Sequence, residues 1–156
     1  MKKKIVSLLV AASMMSTMFA GTAMAEGAKA GVVWYNFADT FIANARQCLN
    51  NVAAADGTIA ITDADSENDI TVQDNNVNNF YTQGVKYLVL NNINMAAADT
   101  IAATMKEKGV VGIFANTTCP SDAAFEGNEN LWYVSSVSSQ SGENMGNALV
   151  DYFETN

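Results

Sequence analysis

The feature that most constrains this chain is a repeated change of period. Five short, apolar, β-rich runs, at 30–35, 58–62, 87–91, 110–115 and 131–134, are separated for the most part by stretches whose apolar residues recur at helical spacing. Short runs that are apolar throughout are what strands buried on both faces of a parallel sheet require. The helical stretches are 39–55, then 69–83 with Ile70, Val77, Phe80 and Tyr81 in step, then 96–108 with Ala97, Ile101 and Met105 on one stripe. The third stops at Gly109, a residue suited to a left-handed C-terminal cap. A last stretch, 142–153, presents Met145, Ala148, Leu149, Tyr152 and Phe153. Between the fourth and fifth runs lies a loop, 117–130, with the single proline, Pro120. Alternation of this kind demands right-handed crossovers. The expected fold is therefore α/β, a doubly wound, flavodoxin-like or Rossmann-like parallel sheet in the order 2-1-3-4-5, with helices on both faces.

Residues 1–25 read as a targeting segment. Lys2, Lys3 and Lys4 precede an apolar stretch that begins at Ile5, and Ala23-Met24-Ala25 has the small-x-small pattern of a cleavage site. The mature chain is expected to start at Glu26, without a lipid anchor and without membrane insertion, because no cysteine lies near the cut and the apolar run is short and interrupted. Cleavage removes three of the eight basic residues and none of the sixteen acids, so five bases remain and the mature net charge is −11. A domain this acidic repels phosphate backbones, which argues against nucleic acid as a partner. The chain has no histidine, so it lacks the usual general base, the commonest metal ligand and any Ser-His-Asp triad. A binding role is favoured over an enzymatic one, and no cofactor is expected.

Trp34-Tyr35-Asn36-Phe37-Ala38-Asp39-Thr40-Phe41 joins the first strand to the first helix. In an open parallel sheet, ligands sit where strand carboxyl ends meet helix N-termini. Here one carboxylate stands between Phe37 and Phe41, with Tyr35 just before. A pyranose suits that set, since its apolar face lies against a ring and its hydroxyls donate to an ionised acceptor. The plainer alternative is that Asp39 only caps the helix and Phe41 fills the core.

Two other patterns point elsewhere than they first suggest. Asp63, Asp65, Glu67, Asp69 and Asp74 have the spacing of a calcium loop, but the sixth position is Asn68 rather than glycine and the twelfth is Asp74 rather than glutamate. No glycine-rich loop follows the first strand, and Asp39 opposes a pyrophosphate at the helix N-terminus. The two cysteines are expected to be free thiols, with Cys48 buried on a stripe of Phe41, Ala45, Leu49 and Val52, and Cys119 in a loop at the other end of the layer.

Taken in order, the leader, WYNFADTF, DADSEND, QGVKYLVLNN, IFANTT and WYVSS resemble the N-terminal lobe of the type I periplasmic sugar-binding proteins, most closely the galactose/glucose-binding branch, over 30–153. The resemblance implies one lobe of a two-lobed receptor that closes on a monosaccharide and delivers it to an ABC permease, with a chemoreceptor as a further partner in some members. It places the family's sugar-accepting carboxylate on Asp39, its stacking aromatic on Phe41, the preceding tyrosine on Tyr35, and the hydrogen-bonding asparagine at the end of the fourth strand on Asn116. Where that branch has a lysine and an acid after the asparagine, this chain has Thr117 and Thr118; Asn94 and Met95 replace an aspartate and a proline.

The family continues past the point that corresponds to Asn156 into a sixth strand, a hinge and a second lobe. The expectation is a single lobe over 26–156, with the second lobe absent. A full-length binder of ~1 μM affinity has about 8 kcal/mol of binding free energy; losing about 4 kcal/mol with one face of the cleft leaves millimolar binding or none. An uncovered sheet edge and apolar surface would favour self-association. The alternative function is an exported interaction module or one part of a split receptor.

Overall fold

The computed structural model describes residues 27–155. The expected targeting segment, 1–25, and its expected cleavage site lie outside these residues. Five strands, β1 (Ala28–Trp34), β2 (Ile59–Asp65), β3 (Tyr87–Leu90), β4 (Val111–Ala115) and β5 (Leu131–Val134), form one sheet in the order β2-β1-β3-β4-β5. Every pairing is parallel. The expected topology holds. Strand ends shift by up to three residues, most at β2, which runs on to Asp65 because it pairs along the full length of β1.

The helices are α1 (Thr40–Asp56), α2 (Ile70–Gln83), α3 (Ala98–Glu107), a one-turn α4 (Asp122–Phe125) and α5 (Ser138–Thr155). Asp39 and Asp69 stand one residue outside α1 and α2 as their N-caps. A 3-10 turn, Met95–Ala97, precedes α3. The loop between β4 and β5 therefore contains α4, which sequence periodicity is too short to reveal.

One face of the sheet is fully built. Val33, Leu88, Leu90 and Phe114 from the strands meet Val77 and Phe80 of α2 and Ala98, Ala102 and Met105 of α3. Two strand glycines let these helices approach: a Cβ on Gly31 would lie 2.6 Å from the Phe80 ring, and one on Gly112 would lie 2.3 Å from Met105 Sδ. The opposite face has a smaller core, in which Val32 and Trp34 pack against Ile42 of α1, flanked by Ala45 and Leu49.

That smaller core corrects the expected stripe on α1. Ile42 is the fully buried residue, while Phe41, Cys48 and Val52 are exposed. The apolar register is 42–45–49, turned by one residue from the one read in the sequence, because α1 begins after its Asp39 cap and presents Ile42 to the sheet. Ile70 of α2 is likewise exposed. Both cysteines are free and both are exposed, so the burial expected for Cys48 is overturned. On α5 the stripe is present, but Met145, Leu149, Tyr152 and Phe153 all face solvent.

Candidate functional site

The carboxyl ends of β1, β3 and β4 lie side by side, with Val33 level with Leu90 and Leu90 level with Phe114. Tyr35 and Asp39 therefore follow β1, and Asn116 follows β4, at the same edge of the sheet. Asp39 has two attachments. Its Oδ1 accepts from Ile42 N at 3.0 Å, the helix cap, and its Oδ2 accepts a short hydrogen bond from the Tyr35 hydroxyl. The Tyr35 hydrogen bond, with the Ile42 amide behind it, holds the Asp39 carboxyl below the usual carboxylate range. The same hydrogen bond raises the Tyr35 phenol above 10.0, since ionising it would lose the donor and place two anions together. Asp39 is thus a partly exposed, ionised acceptor at neutral pH.

Asp39 does cap the helix, as the plainer alternative has it, but Phe41 does not fill the core: 63% of it is exposed. Phe37, the other aromatic of the segment, is differently employed. The Arg46 guanidinium covers its ring at 3.3 Å from the centroid, so that ring face is closed to a ligand. Asn116 sits at φ 68°, a left-handed conformation asparagine tolerates. Its backbone is fixed from both sides, its N–H donating to Val134 O and its carbonyl accepting from Ser135 Oγ, both at 2.8 Å. Its side chain is exposed.

The acidic run at the end of β2 supports this edge from beneath. Asp63 accepts from Trp34 Nε1 at 2.8 Å and Asn50 Nδ2 at 2.7 Å, and its Oδ2 stands 3.7 Å from Arg46 Nε. Asp65 accepts from the backbone of Phe37 at 3.1 Å and Glu67 at 2.9 Å. Ser66 N and Asn68 N donate to the carbonyls of Trp34 and Tyr35 at 2.9 and 2.7 Å. Asn68 takes φ 57°, so it makes the left-handed turn without a glycine. Of the carboxylates that resemble a calcium loop in the sequence, Asp63 and Asp65 are therefore tied to the segment carrying Tyr35 and Asp39, while Asp69 caps α2.

A second polar set, not foreseen from the sequence, lies under β3 and β4. Gln73 is fully buried; its Nε2 donates to Ser66 Oγ and Asn91 O, and its Oε1 accepts from Ile93 N. Asn91 Nδ2 donates to Thr117 Oγ1 at 2.9 Å, and Thr117 and Thr118 donate to Asn92 O at 2.5 and 3.2 Å. The two threonines that depart from the resemblance thus lock β4 to β3. The only sequence signal for this set is the pair of asparagines, Asn91 and Asn92, that follows β3.

The family described as a periplasmic binding protein domain matches residues 30–156. The chain belongs to that family. This periplasmic binding domain is 28% identical over 137 residues to the D-galactose/methyl-galactoside binding periplasmic protein MglB of Haemophilus influenzae, a match that covers 88% of this chain and 41% of the relative. Among solved structures, the periplasmic binding component of the arabinose ABC transporter from Shewanella sp. ANA-3 matches with a TM-score of 0.68 and 18% identity, over 82% of this chain and 41% of that one. The Caulobacter myo-inositol binding protein matches with a TM-score of 0.68 and 19% identity, over 81% of this chain and 41% of that one. At these identities the two structures establish the fold. By their descriptions all three relatives are binding proteins. The chain spans about two fifths of their length, and no helix of its described residues is long and apolar enough to cross a membrane.

Proposed function

We propose that this chain is the N-terminal, sugar-contacting lobe of a periplasmic solute receptor that serves an ABC importer, with a galactose- or glucose-like monosaccharide as its ligand. The observation that carries the reading is the pairing of an ionised Asp39, steadied by Tyr35, with a Phe41 ring left in solvent at the sheet's carboxyl edge. Exposing a phenylalanine is unfavourable unless something covers it, and a pyranose offers an apolar face for the ring and hydroxyl donors for the carboxylate. The amide of Asn116, across β3 on the same edge, supplies a donor and an acceptor for a further hydroxyl. The galactoside-binding relative favours a hexose. An ABC permease is the partner this role requires, and a chemoreceptor is a second candidate for the same receptor.

The test is saturation-transfer NMR of glucose, galactose and ribose, each at millimolar concentration, against the purified chain. Magnetisation should reach one face of a hexose ring, as one lobe with an affinity of about 1 mM would give. Phe41→Ala should reduce transfer to every sugar together, whereas Asp39→Asn should weaken binding about 10- to 100-fold, the loss of a charged acceptor, and unequally among sugars. Equal signals from wild type and both variants would remove these residues from the site.

A further inference from the structure

Asn116 is kept in an unfavourable conformation by its neighbours. Its φ is 68°, and Thr117 N donates to Ala115 O at 2.8 Å, so the chain closes a three-residue turn about Asn116. Turns of this kind at positive φ are rare and strained, and they persist only where the surroundings fix them. On the β5 side the turn is fixed through the Asn116 backbone, to Val134 O and from Ser135 Oγ. On the β3 side it is fixed by the Thr117 hydroxyl, which uses both of its capacities. Thr117 Oγ1 donates to Asn92 O at 2.5 Å and accepts from Asn91 Nδ2 at 2.9 Å. Asn91 and Asn92 are buried, and Asn91 N donates at 2.9 Å to the carbonyl of Val33, the last residue but one of β1. One hydroxyl therefore connects the turn that carries the Asn116 amide with the strand that leads to Tyr35 and Asp39.

We infer that Thr117 is a positioning residue for the sugar site: it holds the turn bearing the Asn116 amide at a set separation from the Asp39 carboxylate, so that only a ring whose hydroxyls match that separation gains both contacts. The inference rests on the reading of Asn116 as a ligand contact. Asp39 is itself fixed, by Ile42 N and by Tyr35, so the backbone at neither end has to be ordered when a sugar arrives. Ordering at that moment would subtract from affinity. Thr117 suits such a role better than a role in stability, because it is exposed and neither of its partners depends on it alone. Asn92 O also accepts from Thr118 Oγ1, and Asn91 Nδ2 also donates to Ala115 O, both at 3.2 Å. Removing the Thr117 hydroxyl therefore orphans neither buried partner. What it releases is the turn.

The test compares Thr117→Val, which keeps the branched shape and loses the hydroxyl, with Thr117→Ser, which keeps the hydroxyl. Without sugar, the NMR cross-peak between the amide and α protons of Asn116, strongest at positive φ, should weaken in Thr117→Val and persist in Thr117→Ser. In titrations of galactose and glucose followed at the Phe41 amide, Thr117→Val should weaken binding about 2- to 10-fold, as the loss of one neutral hydrogen bond does. Thr117→Ser should bind as wild type does. In a chain that already carries Asn116→Ala, Thr117→Val should have no further effect, whereas a general loosening of the fold would weaken binding in both backgrounds alike. An unchanged Asn116 cross-peak in Thr117→Val, or Thr117→Ser behaving like Thr117→Val, would overturn the inference. So would an added loss on top of Asn116→Ala, or a Thr117→Val chain that binds normally while Asn116→Ala does not. If Asn116→Ala binds as wild type does, or if the wild-type chain binds no sugar, the reading of Asn116 as a ligand contact falls, and the inference with it.

Discussion

Asp39 carries two roles that its chemistry allows at once, because its two oxygens are used separately: one caps α1 and the other receives Tyr35. The pH dependence follows from the direction of the shifts. Asp39 is lowered in the folded chain, so its contribution to stability is present above the ordinary value of 3.8 and is lost as pH falls through the lowered one. Tyr35 is raised, so its contribution is present below 10.0 and is lost as pH rises through its folded value. Asparagine caps a helix about as well as aspartate. Asp39→Asn should therefore melt below wild type at neutral pH by what the charged Tyr35 bond contributes, and the two curves should converge in strong acid. Parallel curves from pH 2 to 8 would show that the bond contributes nothing. The thiols supply a second measurement at this scale. Both are exposed, so the native chain should react with two equivalents of a thiol reagent, without denaturant. Cys119 should gain rate as pH rises, because partial desolvation together with Asp122 and Asp99 raises its pKa above 9.0 and thins its thiolate. Fewer than two equivalents would contradict the exposure of one of them.

At the scale of elements, what matters is how closely helices approach the sheet. Gly31 and Gly112 mark the places where α2 and α3 rest on β1 and β4, but the two contacts differ in what can yield. The atoms facing Gly31 belong to the Phe80 ring, closed in by the main core, whereas the atom nearest Gly112 is the sulfur of Met105, on a flexible side chain. Gly31→Ala should therefore cost about 1–3 kcal/mol in urea unfolding, the range for overpacking, and Gly112→Ala should cost less. The reverse order would mean that α2 can lift from the sheet more easily than α3. The loop after β2 shows a related economy, since its left-handed Glu67 and Asn68 turn the chain so that backbone amides reach the carbonyls of Trp34 and Tyr35.

For the molecule as a whole, the two faces of the sheet are unequal. α2 and α3 close one face, and the other is closed by α1 alone over part of its width. The cavity this leaves lies on the face of the sheet and runs from Ile59 and Ile61 of β2 to Trp132 and Val134 of β5.

Much of this arrangement was determined locally. The apolar runs, the caps at Asp39 and Asp69 and the helical spacings specify five strands with helices between them, because period and capping are properties of neighbouring residues. Parallel crossovers then restrict the topology, and the segment from Trp34 to Phe41 falls at a strand end by its own pattern. Other features depend on partners distant in the chain. The one-residue turn of the buried stripe on α1 depends on which side meets Val32 and Trp34, so Cys48 is exposed although its spacing fits the stripe. Asp63 and Asp65 bind Trp34, Asn50 and the Phe37 backbone instead of forming a loop of their own, and Gln73 finds its partners across two strands. An amphipathic stripe marks one side of α5 as apolar, but only the tertiary structure shows that side exposed among the described residues, since burial depends on what the three-residue connection after β5 brings the helix against.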